Sequence, residues 1–204
     1  AAMNLLGNGL YNAEHYKDAF SVQEAELSML RRLGASEGRI LVVQSNLANT
    51  YNKLGRHEEA LQMRRDAYSR RLKLNGEEHV DSLMAALNYA SSLENLGRFE
   101  EAKSLLRKML PVARRVVGDN DVVTLRMKWS YAGALYRDTS ATLGDLREAV
   151  TTLEDTGRIA QRVLGGAHPT TVKIEHALPE ARAVLAARES GDALRDALGA
   201  MRAT

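Results

Sequence analysis

The chain repeats itself every 42 residues, and that period constrains its fold more than any other feature. Asn46-Leu47-Ala48 returns as Asn88-Tyr89-Ala90 and, weakened, as Ser130-Tyr131-Ala132. Gly55-Arg56-His57-Glu58-Glu59-Ala60 returns as Gly97-Arg98-Phe99-Glu100-Glu101-Ala102, and Gly34, Gly76 and Gly118 keep the same step. A fixed period of about 20–50 residues means stacked supersecondary units in place of one globular core. Arrays of this kind present extended surfaces, which points to binding before catalysis.

Each unit reads as two helices. Over residues 39–75, Leu41, Val42, Leu47, Ala48, Tyr51 and Leu54 recur at three-to-four spacing, one face of a helix. Gly55 permits a sharp reversal, and Glu58 and Glu59 suit the positive end of the next helix. Ala60, Met63, Ala67, Leu72 and Leu74 carry that second helix to Asn75-Gly76. Ala48, Ala90 and Ala132 are small where paired helices must cross closely. Pro111 falls inside a second helix and predicts a local kink.

The predicted units are about 1–36, 37–78, 79–120, 121–167 and 168–204, in one continuous array. The fourth is stretched, because Ala102 to Ala149 and Gly118 to Gly165 are both 47 residues. The five extra residues lie near 137–142, as a longer turn or an extended helix end. The fifth unit is a degenerate cap, with helices near 170–187 and 191–202, a faded turn at Gly191-Asp192-Ala193-Leu194 and an interruption at Pro179.

Composition narrows the function classes. A net charge of +2 does not suit a strong polyanion binder, and there is no cysteine for a disulfide or thiolate. No apolar run reaches the roughly 18 residues that span a bilayer. The expectation is a cytoplasmic segment of a longer chain or complex, with a protein or peptide partner and neither nucleic acid nor membrane.

The spacing Ala48, Tyr51, Gly55, Ala60, and again Ala90, Leu93, Gly97, Ala102, resembles that of tetratricopeptide repeats. The 42-residue period resembles the kinesin light chain subfamily, whose connectors are of the type Leu-Gly-x-x-His-Pro-x-Thr. Leu164-Gly165-Gly166-Ala167-His168-Pro169-Thr170-Thr171 is a close match. The resemblance implies an all-α, right-handed superhelical solenoid of antiparallel helix pairs, with extended peptides held in a concave groove lined by first helices.

Repeat phase then assigns groove positions. They are Val42, Ser45, Asn46, Asn49 and Lys53 in the second unit, and Met84, Leu87, Asn88, Ser91 and Asn95 in the third. In the fourth they are Arg126, Trp129, Ser130, Gly133 and Arg137, and in the first Asn4, Leu5, Asn8 and Asn12. Helix interiors disfavour asparagine, and its amide can pair with a peptide backbone in either direction. Asn46 and Asn88 are the leading pair for gripping a peptide. Bridging between helices, or solvation of the groove, is the structural alternative. Lys53, Arg126 and Arg137 could meet an acidic peptide or serve as ordinary surface charge. Trp129 reads first as packing and second as an apolar anchor.

Motifs for phosphate loops, zinc sites and calcium loops are missing, so neither a cofactor nor a metal is expected. Gly118-Asp119-Asn120-Asp121 reads as a helix cap through Asp119 or Asn120. The basic pairs Arg31-Arg32, Arg64-Arg65, Arg70-Arg71, Arg107-Lys108 and Arg114-Arg115 read as a solvated convex face. The chain is therefore expected to be a non-catalytic interaction module, not an enzyme. The alternative is a structural subunit of an assembly that uses its convex face or its ends.

Overall fold

The computed structural model describes the backbone of residues 2–203 and the side chains of residues 2–191. Its described residues form helices without strands, divided into two compact units, Ala1–Leu96 and Gly97–Thr204.

The first unit holds α1 (Ala2–Asn12), α2 (Tyr16–Arg32), α3 (Glu37–Lys53), α4 (His57–Asn75) and α5 (Val80–Asn95). Each helix packs on the next, and α1 also reaches α3. Leu27 and Leu30 of α2 meet Ile40, Val43, Leu47 and Tyr51 of α3 and Ala60 of α4 in one apolar cluster. Phe20 meets Tyr51 edge-on at 5.3 Å between ring centroids. The small residues Ala19, Ala48, Ala60 and Ala90 are fully buried, as close helix crossing requires. Leu74 departs from expectation at 53% exposed, and Val42, at 49%, fits its groove position better than the buried face. Val42 sits at the edge of the buried arc of α3, and Leu74 lies in the last turn of α4 where it meets the connector.

The second unit holds α6 (Phe99–Val116), α7 (Val122–Tyr136), α8 (Leu143–Leu164) and α9 (Pro169–Ala203), with α7 touching both α8 and α9. Leu106, Met109, Leu125, Met127, Leu135, Leu146, Leu153 and Ile174 are fully buried. Each such side chain contributes about 1.5–3 kcal/mol on leaving water. Helix α6 runs through Pro111 to Val116. The five inserted residues are shared between both alternatives: the connector 137–142 is longer than 96–98, and α8 starts earlier before Ala149 than α6 does before Ala102. Thr142 and Asp145 close a capping box at the start of α8, and Arg188 donates to the carbonyls of Thr139 and Ala141.

The fifth unit corrects the sequence reading. Helix α9 is one piece from Pro169 to Ala203, with Pro179 inside it and no turn at Gly191. Pro179 lies eleven residues in and removes one backbone bond, which the rest of a long helix outweighs. The side chains of Asp192, Ala193 and Leu194 lie outside the described residues.

Turn chemistry repeats with the period. Gly34, Gly55, Gly76, Gly97, Gly118 and Gly165 all have positive φ. Glu14, five residues before Ala19 as Gly55 is five before Ala60, takes the same turn position at φ 63. His79, Asp121 and His168 share one repeat position and one job. Each side chain accepts a hydrogen bond from the backbone N–H two residues on, at 3.1, 2.8 and 3.1 Å. The cap of α7 is thus Asp121, in place of the expected Asp119 or Asn120. Asp119 instead pairs with Lys128 at 2.8 Å and Arg114 at 3.0 Å.

Candidate functional site

Asparagines 42 residues apart meet at one pocket in the first unit. Asn46 of α3 and Asn88 of α5 both line a cavity of about 150 Å³, floored by Ala67 and Arg71 of α4. Both side chains are half-buried, and neither amide has a hydrogen-bond partner among the described residues. Ser45 turns back to the Leu41 carbonyl at 2.9 Å, and Arg71 pairs with Asp81 at 2.8 Å, which fixes the walls. Two free amides, each with donors and an acceptor, can serve a main chain passing over them.

Asn49 is committed elsewhere. Arg64 rises from α4, donating to Asn49 Oδ1 of α3 at 2.5 Å and to the Asn88 carbonyl of α5 at 2.9 Å. Arg64 is 7% exposed, has no ion pair among the described residues, and leaves its Nε without a partner. Burial pushes its guanidinium down to about 10, with the Tyr11 hydroxyl acting weakly in the other direction. Arg71, two helical turns further along the same stripe, is also largely covered. These two residues do not belong to a solvated convex face, as the basic-pair reading had them. Arg65 and Arg70, their neighbours in sequence, are exposed. The signal was available: Ala60, Arg64, Ala67 and Arg71 follow helical spacing on the buried face of α4.

Lys53, at the end of α3, is exposed, with its Nζ 5.7 Å from the Tyr16 ring centroid. Ser91 is half-buried and Asn95 is exposed at the end of α5. Leu87, assigned by phase to the groove, is 4% exposed and belongs to the core. Asn8 donates to Asn4 within α1 at 3.2 Å, and Asn12 is exposed.

In the second unit, Arg126 and Trp129 of α7 line a cavity of about 330 Å³ with His168, Thr170 and Lys173. Arg126 has no acidic partner among the described residues, and burial lowers its affinity for the proton. The Lys173 Nζ lies 5.6 Å from the Trp129 ring centroid. The remaining positions fall away from this pocket. Ser130 and Gly133 are buried, because α7 is enclosed on nearly every face between its neighbours. Arg137 is exposed just past the helix and turns to Tyr136, its Nε donating to the hydroxyl at 3.3 Å.

Among the described residues, no helix is long and apolar enough to cross a membrane.

Residues 38–115 match the tetratricopeptide repeat family. No curated protein matches the chain. Among solved structures, the putative kinesin light chain nearly identical TPR-like repeats of Podosopora anserina superpose with a TM-score of 0.75 at 21% identity, over 99% of this chain and 93% of that one. The same repeats in a second crystal structure give 0.74 at 21% identity, over 99% and 94%. BtubC (BKLC) of P. vanneervenii gives 0.61 at 16% identity, over 92% and 80%. Residues 38–115 are thus tetratricopeptide repeat sequence, and the chain as a whole has the all-α repeat fold of these solved structures.

Proposed function

We propose that the chain is a non-catalytic interaction module in the cytoplasm, which binds a peptide segment as part of an adaptor or scaffold. The observation that carries this reading is the pair Asn46 and Asn88, two repeat-equivalent amides at one pocket with no partner among the described residues. Helix interiors rarely hold asparagine without a use for it. Asn49 takes part through its bond to Arg64, which sets the spacing of α3 and α5 beside the pocket. Lys53, Ser91 and Asn95 complete the polar surface of this unit. Arg126 and Trp129, with Arg137 nearby in sequence, offer a cationic and aromatic site on the second unit, suited to a carboxylate next to an apolar side chain.

The test compares wild type with Asn46→Ala/Asn88→Ala in pull-downs from a native extract, with bound proteins identified by mass spectrometry. Loss of a partner from the variant, at unchanged far-ultraviolet circular dichroism, supports the reading. A partner kept by both proteins sinks it. That outcome favours the second reading, an assembly subunit, for which the exposed Leu5 and Leu6 of α1 are the motivating surface, at 74% and 55% exposed.

A further inference from the structure

Glu26 is a carboxylate with nothing to hold. It is 3% exposed, its Oε2 has no hydrogen-bond partner, and it makes no ion pair among the described residues. It follows Ala19 and Gln23 along the buried stripe of α2, where an apolar side chain would serve packing better. The same side chain lines a cavity of about 470 Å³ formed by α1, α2 and α3, within the range of ligand sites at roughly 300–1,000 Å³. Leu30 and Val43 form buried wall, while Leu5 and Val42 are 74% and 49% exposed at the mouth. Arg39 also lines the cavity, but it is exposed and lies beyond ion-pair distance of any acid among the described residues.

We propose that this cavity is an anchor pocket for one lysine or arginine side chain of the bound peptide. The cationic head reaches Glu26, and the methylene stem lies along Leu5, Leu30 and Val42. Charge complementarity selects this occupant. A neutral side chain leaves the buried carboxylate unpaired, and an acidic one adds a like charge beside it. The proposal rests on the peptide-binding reading above and adds the specificity of the segment bound.

The test selects peptides from a random display library on the whole chain and measures the enriched ones by fluorescence polarisation. The enriched peptides are expected to share one lysine or arginine. Glu26→Gln keeps the shape and removes the charge, and it should weaken them roughly 10- to 100-fold. Norleucine in place of the basic residue should cost as much, and the two losses should not add. Arg39→Ala should tighten binding by removing a competing cation. Thermal melts report folding, and if Glu26→Gln unfolds, the norleucine peptide and Arg39→Ala carry the test. Peptides that lack a basic preference and ignore Glu26→Gln, yet are lost with Asn46→Ala/Asn88→Ala, overturn the anchor and leave the peptide-binding reading standing. Peptides that need Glu26 but not the asparagines uphold the anchor and overturn the amide grip. A library that enriches nothing on wild type overturns both.

Discussion

Replacing Arg64 with leucine should leave the fold at least as stable while loosening the asparagine pocket. The period supplies the substitution: Gln23, Arg64, Leu106 and Leu153 occupy one repeat position, and the two leucines are fully buried. The drop of the guanidinium to about 10 corresponds to about 3 kcal/mol held against the charged form. Its two hydrogen bonds return roughly 1.5–3 kcal/mol each. The arginine therefore nets between zero and about 3 kcal/mol, the desolvation of its unpartnered Nε being already counted in the drop. A buried leucine contributes about 1.5–3 kcal/mol without those costs. After the change Asn49 returns to water, and the Asn88 carbonyl keeps its place within α5.

The expected result for Arg64→Leu is a stability between unchanged and about 2 kcal/mol higher, read by urea unfolding at neutral pH. The pH dependence provides a second check. A base whose folded affinity for the proton is lowered sheds that proton first in the folded state. Wild-type stability should then rise relative to the variant as pH climbs through about 10. A variant more than about 2 kcal/mol less stable than wild type would show that Arg64 is a net stabilising strut, and would refute the argument. So would a gap between the two proteins that stays constant from neutral pH to pH about 11.

Three further outcomes follow from local geometry. Glu14→Gly should raise stability by about 0.5–1 kcal/mol in a thermal melt, since a left-handed backbone costs a side chain but not glycine. His79→Ala should lower stability by about 1 kcal/mol through loss of the α5 cap, whereas His79→Asp, copying Asp121, should preserve it. Asp145 is held below the usual carboxylate range by hydrogen bonds from the Thr142 hydroxyl and backbone, with Lys103 adding to the effect. Its contribution is complete above the ordinary aspartate value of about 4 and is lost as pH falls through its lower folded value. Melting temperatures of wild type and Asp145→Asn should therefore converge on acidification, and parallel curves would count against the capping box.

The period, the helix pairs and the turn glycines are legible in the chain because each depends on local geometry. Three-to-four spacing marks one helix face, and positive φ asks for glycine. Family membership of residues 38–115 follows from the same marks. Polar residues inside that pattern were harder to read. Arg64 and Glu26 look like surface charge in sequence, because charged side chains are seldom buried and spacing alone does not say whether a charge has been covered. Likewise Asn49 and Asn46 are equivalent by composition and close in sequence, yet one is tied to Arg64 and the other is free. Phase also misassigned Ser130 and Gly133, since α7 is enclosed on several sides and buries faces that a lone pair would leave open, and Leu87, which belongs to the core. At the end of the chain, Gly191 signalled a turn that α9 does not make, because an isolated glycine weakens a helix by only about 1 kcal/mol. The sequence by itself determined the repeat, its helices and their caps, which are contacts between near neighbours in the chain. The burial of Arg64, the unpartnered Glu26 and the meeting of Asn46 with Asn88 were decided only when helices far apart in sequence packed, because desolvation and pairing belong to the neighbours that tertiary structure supplies.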